Sequence, residues 1–284
     1  MRSAVFLVFL VTLCGCHHHP AQVQSQPPQP APVQGARTPA PVPTSQAHAS
    51  GGGYCSFPDI TGPVKTPLMI AIWQGDFQKV EELTEANTDL NAKFPYCGSE
   101  GHEATPLINA IEGKNDEPYR RRAGMTQSSN YEEMIEFLLH HGASPNVTLH
   151  DFSPLHAASE LGQLKTVQML LLYGANLESR YNGETAFMAA AQSNGIAVMQ
   201  ELFVAGANIY AENNQGYNAL MLASWRHQVE AVKFLAKLGI NPCLANKKGE
   251  TALSMALSYG REDRGQQEII LFLLDTCGRS GLVK

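Results

Sequence analysis

Charge is scarce in this chain. Asp, Glu, Lys and Arg make up 16% of its 284 residues, against about a quarter in ordinary soluble domains. Acidic residues (26) outnumber basic ones (20), for a net charge of −6, which argues against a general nucleic-acid binder with its strongly basic surface. So low a density of acidic groups also argues against an acid-rich disordered chain. No apolar run reaches the ~18 residues of a membrane-spanning helix. The motifs G-x-S-x-G, H-E-x-x-H and G-x-x-x-x-G-K-[ST] are absent, as is a dinucleotide fingerprint, so no catalytic residue is assigned and the chain reads as a non-enzyme without cofactor or small-molecule substrate. There is no C-x-x-C, which argues against structural zinc. What remains is a length of 284 residues, enough for one or two ordinary domains, with an apolar fraction of 44%.

The first residues read as a targeting segment. Arg2 precedes the apolar run Ala4–Leu13, which has the length of a signal-peptide core. It ends in Leu13-Cys14-Gly15-Cys16, which resembles the lipobox of bacterial lipoproteins. The resemblance implies that residues 1–15 are removed and that Cys16 carries a diacylglyceryl thioether with fatty chains such as palmitate. Several chains on one cysteine give lasting anchorage. His17 rather than Asp follows the cysteine, which the same resemblance reads as sorting to the outer membrane, facing the periplasm.

Residues 16–53 then form a tether. Eight of the chain's 17 prolines fall in this stretch, and its only fixed charge is Arg37. Proline removes backbone donors and favours extended polyproline II, so such a segment builds no core. His17–His19 read either as polar tail or as a transition-metal ligand set.

The rest, 54–284, repeats. Thr66-Pro67-Leu68-Met69 returns as Thr105-Pro106-Leu107-Ile108, Ser153-Pro154-Leu155-His156, Thr185-Ala186-Phe187-Met188, Asn218-Ala219-Leu220-Met221 and Thr251-Ala252-Leu253-Ser254. From Ser153 onward the steps are 32, 33 and 33 residues. A second beacon follows at Gly142-Ala143, Gly174-Ala175, Gly206-Ala207 and Gly239-Ile240. A hydroxyl before proline caps a helix start, and glycine in the left-handed region ends the next helix. The pattern resembles the ankyrin repeat, with its T-P-L-H-x-A tetrad at a period of about 33. The fold expected is an all-α solenoid of about six helix-turn-helix units with short β-like finger turns. An insertion over residues 113–130 separates the helices of the second unit and carries Arg120-Arg121-Arg122, a partner site or a solvated loop. His156 holds the repeat's usual histidine position, where it serves structural hydrogen bonds.

Four cysteines remain after the lipobox: Cys55, Cys97, Cys243 and Cys277. In an oxidising compartment an even number suggests bridges. In the repeat register Cys55 neighbours Cys97, and Cys243 neighbours Cys277. Of three possible pairings, 55–97 and 243–277 are preferred, one staple at each end; the alternative is four buried thiols.

Ankyrin solenoids bind proteins through finger tips and the exposed ends of first helices. Both tryptophans, Trp73 and Trp225, fall at the seventh residue after a tetrad start, where Glu160 also lies. Arg226 follows one residue on, as does Tyr259 in the sixth unit; Phe152, Glu184, Tyr217 and Glu250 stand just before tetrads, and Tyr181 at a finger tip. Exposed aromatics of this kind serve as interface anchors; the alternative for Trp73 and Trp225 is sideways packing on neighbouring helices. Glu160, Glu184 and Glu250 among them point to a partner with a basic contact surface. Bacterial ankyrin lipoproteins include inhibitors of toxins delivered to the periplasm. The expected function is therefore a non-catalytic immunity protein that occludes a secreted antibacterial toxin such as a phospholipase. The alternative is a periplasmic scaffold or protective protein assisting envelope integrity or a redox enzyme.

Overall fold

A computed structural model of the chain describes residues 66–86, 88–95, 103–114, 130–149, 151–258 and 263–280. The signal segment, the tether, Cys16, Cys55, Cys97, Arg120–Arg122 and Tyr259 lie outside the described residues.

Among the described residues six helix pairs succeed one another: α1 (Pro67–Gln74) with α2 (Phe77–Glu85), α3 (Pro106–Gly113) with α4 (Tyr131–His140), α5 (Pro154–Glu160) with α6 (Leu164–Leu172), α7 (Ala186–Gln192) with α8 (Ile196–Val204), α9 (Ala219–Trp225) with α10 (Val229–Lys237), and α11 (Ala252–Leu257) with α12 (Arg264–Ser280). First helices pack on first helices of the neighbouring units, and from the second unit onward second helices pack on second helices. This is the stack of a repeat solenoid, in which each unit buries its apolar face on the next.

The tetrads explain where the first helices start. Thr66, Thr105, Ser153, Thr185, Asn218 and Thr251 each accept, through the side chain, the backbone N–H three residues on. The tetrad that departs furthest from the pattern, at Asn218, has the shortest of these bonds, 2.9 Å to Met221. An asparagine oxygen caps as well as a hydroxyl does. The third tetrad residue is core: Leu68, Leu107, Leu155, Phe187 and Leu220 are each 1% exposed. Leu138, Leu170, Leu202, Leu235 and Leu273 of the second helices are fully buried against them.

Among the described residues, strand pairing is confined to fingers. β1 (Phe94–Pro95) pairs antiparallel with β2 (Glu103–Ala104), and β3 (Arg180–Tyr181) with β4 (Glu184–Thr185), in the register Tyr181↔Glu184. The β3–β4 turn needs Gly183: its φ is +83°, and a Cβ there would lie 2.5 Å from the Asn214 side chain of the next finger. Finger bases are tied unit to unit. Asn91 donates to the Gly142 carbonyl at 3.1 Å and accepts from Ser144 N–H at 2.7 Å. Asn146 repeats this with Gly174 and Asn176.

The helix ends that flank the insertion, Gly113 and Tyr131, are in close contact. A Cβ on Gly113 would meet the Tyr131 ring at 2.9 Å. The Tyr131 hydroxyl donates to the Ile72 carbonyl at 3.0 Å, so the second unit grips the first. Glu132 accepts from Lys114 at 2.6 Å and Lys165 at 3.0 Å, and the two ammonium groups hold its carboxyl below the usual range.

The last unit departs from the repeat. Four residues after the buried Leu273, where earlier units place the helix-ending glycine, stands Cys277, which lies inside α12, a helix of 17 residues. In earlier units the residue after the glycine folds back on the helix, as Ala175 N–H does on the Leu170 carbonyl, and leads into another finger. No further finger follows α12 among the described residues. Cys243 and Cys277 are joined by a disulfide with Cα atoms 5.5 Å apart, which fastens α12 to the preceding finger.

Candidate protein-binding face

The third to fifth units bring six of the proposed contact residues together on the finger and first-helix side. Phe152, just before the α5 cap, stands edge-on to Tyr181 in the β3–β4 finger, with ring centres 4.9 Å apart. Both rings are half-buried. Behind them lies His156, 2% exposed, 6.3 Å from each ring centre. Its Nε2 is 2.8 Å from the Glu184 carbonyl, which fixes the proton on that nitrogen, and its Nδ1 is 2.8 Å from Ser153 Oγ. Burial pushes the imidazole below its ordinary pKa, against the opposing pull of the Glu184 carbonyl. The ring is a neutral strut between two units.

Glu184 carries the half-buried charge of the face. Its carboxylate accepts from Gln192 Nε2 at 2.6 Å and from Asn213 Nδ2 at 3.1 Å. Burial nevertheless raises its pKa above the ordinary value, and the two amides and the Arg226 charge offset that only in part. Arg226 in turn donates to Gln192 Oε1 at 3.5 Å, and its guanidinium carbon lies 4.6 Å from the centre of the Trp225 ring. A polar chain thus runs from Asn213 through Glu184 and Gln192 to Arg226, across the fourth and fifth units. Trp225 is half-buried, and Arg226 and Glu160 are exposed. The Tyr181 phenol is raised by partial burial and by the charges of Glu160 and Glu184. The outcome is a surface with two half-buried aromatic groups and, between them along the stack, a half-buried, hydrogen-bonded carboxylate.

Tyr217 does not belong to this surface. Its position before the α9 cap led to its assignment as an exposed anchor, but it is 2% exposed. The following finger covers it: Lys248 Nζ lies 5.5 Å from the ring centre, and burial with the adjoining Glu250 carboxylate pushes the phenol up to about 12. Trp73 lies in the last turn of α1 in the first unit, with the second unit between it and Phe152, and is half-buried. It stands apart from the Phe152–Arg226 group.

Asn213 and Gln192 are the functional neighbours that the sequence left unassigned. Asn213 and Asn246, 33 apart, each precede a glycine by three residues. Each side-chain oxygen accepts backbone N–H groups two and four residues on. That recurring Asn-x-x-Gly was the available signal. Among the described residues no three His, Cys, Asp or Glu side chains are grouped as metal ligands, and no helix is long and apolar enough to cross a membrane.

Known proteins share this architecture. A family model for ankyrin repeats in three copies matches residues 107–181, 123–213 and 187–281, together more than half of the chain. Human transient receptor potential cation channel subfamily A member 1 is 33% identical over 123 residues, 42% of this chain and 11% of its own. The ankyrin repeat and KH domain-containing protein mask-1 of Caenorhabditis elegans is 29% identical over 200 residues, 70% of this chain and 7% of its own. The chain therefore spans only a small part of these relatives. A solved ankyrin repeat domain from Acinetobacter baumannii AYE has 30% identity and a TM-score of 0.54, covering 74% of this chain and 97% of that one.

Proposed function

Because the chain belongs to the ankyrin-repeat family, we propose that it binds another protein through the surface formed by Phe152, Glu160, Tyr181, Glu184, Trp225 and Arg226. Ankyrin repeats are protein–protein interaction modules and are generally non-catalytic. The observation that carries the assignment to this surface is the Phe152–Tyr181 pair set beside the Glu184–Gln192–Arg226–Trp225 chain. Partly buried aromatics with a backed carboxylate suit a partner that presents arginine or lysine among apolar groups. Ring faces and carboxylates both attract such cations. One well-buried anchor is worth about 2 kcal/mol or more, roughly 30-fold in affinity.

In this proposal the partner is a secreted antibacterial toxin, such as a phospholipase, and binding occludes it. The protein acts at the periplasmic face of the outer membrane, held there by acyl chains on Cys16. The lipobox-like Leu13-Cys14-Gly15-Cys16 and the proline-rich stretch behind it support the location. Two measurements test the proposal. An alkyne fatty acid should label the wild type and not Cys16→Ser. The full chain should capture a secreted hydrolase and abolish its activity at a one-to-one ratio. Tyr181→Ala and Trp225→Ala should each weaken that inhibition about 30-fold, with helical content unchanged, whereas Trp73→Ala should not. Normal inhibition by both variants would place the contact elsewhere.

A further inference from the structure

The outer faces of the second helices carry ion pairs, and α4 lacks a cation where α10 has one. In the fifth unit Glu230 and Lys233 stand nine and six residues before the helix-ending Gly239 and are bonded at 3.2 Å. The same two positions before Gly142 hold Glu133 and Glu136. Both are exposed. Residues three apart share one face of a helix, so α4 sets two like charges side by side where α10 sets a bonded pair. The adjoining Glu132 already has its cations, Lys114 and Lys165. Among the described residues no cation is bonded to Glu133 or Glu136.

These two carboxylates stand on one wall of a groove between α4 and α6. Two adjoining hollows of about 220 and 460 Å³ lie along it, both bordered by Glu133 and Glu136. Phe137 and Tyr173 border the smaller, Met169 and Leu172 the larger. Leu172 is 83% exposed, on the outer face of a helix, where polar residues are the rule. Val204, at the equivalent position of the packed neighbour α8, is 76% exposed, so the apolar wall widens toward the fourth unit. Three carboxylates and one ammonium border the larger hollow, so its complement is basic. Carboxylates on one wall and apolar side chains on the other fit an extended peptide, whose successive side chains point to opposite sides. We propose that this groove is a second protein-contact surface, and that it takes a partner segment in which arginine or lysine alternates with apolar residues. The cations pair with Glu133 and Glu136, and the apolar side chains lie on Met169 and Leu172. The surface belongs to the second helices and does not depend on the Phe152–Arg226 group, which lies on fingers and first helices.

Fluorescence anisotropy of the full chain with a fluorescein-labelled peptide of alternating Arg and Leu tests this. The wild type should bind it with a Kd of about 10–100 µM. Glu133→Gln/Glu136→Gln should weaken binding about tenfold or more, through loss of two charge-assisted contacts. Leu172→Ser should weaken it about threefold. All three positions are exposed, so circular dichroism should not change. Glu81→Gln/Glu85→Gln, the same change of charge on α2, and Tyr181→Ala, on the finger side, should each bind as the wild type does. A peptide of alternating Arg and Ser should bind about tenfold more weakly, which separates the groove from general attraction to an acidic surface. No saturable binding up to about 1 mM, undiminished binding by Glu133→Gln/Glu136→Gln, equal binding of the Arg–Ser peptide, or loss of binding in Tyr181→Ala would each overturn the proposal.

Discussion

His156 Nε2 and the main-chain oxygen of Glu184 lie 2.8 Å apart, joining two residues 28 positions apart in the chain. The bond ties the first helix of the third unit to the finger that carries the carboxylate of the proposed binding face. A residue of the repeat framework therefore sets the height of Glu184 above the stack.

This strut makes stability depend on pH. Burial lowers the His156 pKa below 6.5, so the unfolded chain binds the proton more readily than the folded one. The contribution of the neutral ring is complete above pH 6.5 and is lost as the pH falls through the folded-state value. Urea unfolding of the wild type should show that loss, and His156→Leu should remove it. That variant should also be about 1–3 kcal/mol less stable at pH 8, because it orphans the Glu184 carbonyl.

Glu184 should titrate above 4.5, since burial outweighs the groups that favour its charged form. Its folded form holds the proton longer than the unfolded chain does. It therefore contributes stability below pH 4.5 that is lost as the pH rises through the folded value. Gln192→Ala removes a bond to the charged form and should raise the midpoint further. Carbon-detected NMR of the carboxyl resonance would read both shifts; a lower midpoint in the variant contradicts the assignment.

Tyr217→Ala should behave as a core truncation. At 2% exposure the ring's loss should cost about 3–5 kcal/mol. Tyr217→Phe, which keeps the volume and removes the hydroxyl beside Glu250, should cost about 1 kcal/mol. Chemical denaturation separates the two. Binding by a folded Tyr217→Phe should be normal.

Two glycines separate crowding from conformation. Gly183 and Gly142 both have positive φ, but a Cβ at Gly183 meets Asn214 at 2.5 Å and one at Gly142 meets nothing within 4 Å. Gly142→Ala should cost about 1–2 kcal/mol for the left-handed backbone. Gly183→Ala should cost more and shift the amide resonances of the following finger.

Reduction of Cys243–Cys277, which closes a loop with a sequence separation of 34, should cost about 3–4 kcal/mol on a chain-entropy basis. The loss should concentrate at the stack end. Hydrogen exchange should accelerate in α12 and α11 and remain slow in α5 and α7.

Much of this protein was legible in the chain itself. The tetrads, the caps and the third-residue core leucines rest on local physics: a hydroxyl or amide reaching three residues along, a proline at a helix start, one apolar side per helix. These repeat, so each unit corroborates the next, and even the divergent Asn218 unit could be placed. The contact with the next unit was not legible. Tyr217 has the position of an exposed anchor and is buried because Lys248 and Glu250, more than thirty residues on, close over it. Glu184 is a surface residue by position, and its setting comes from Gln192 on its own unit's helix and Asn213 on the following finger. Leu257 shares its repeat position with the fully buried Ile72 and Ile111 and is 58% exposed. Sequence determined what each unit is because helices and turns are decided within a few residues. The stack decided which side chains stay exposed, because burial depends on what lies one unit away.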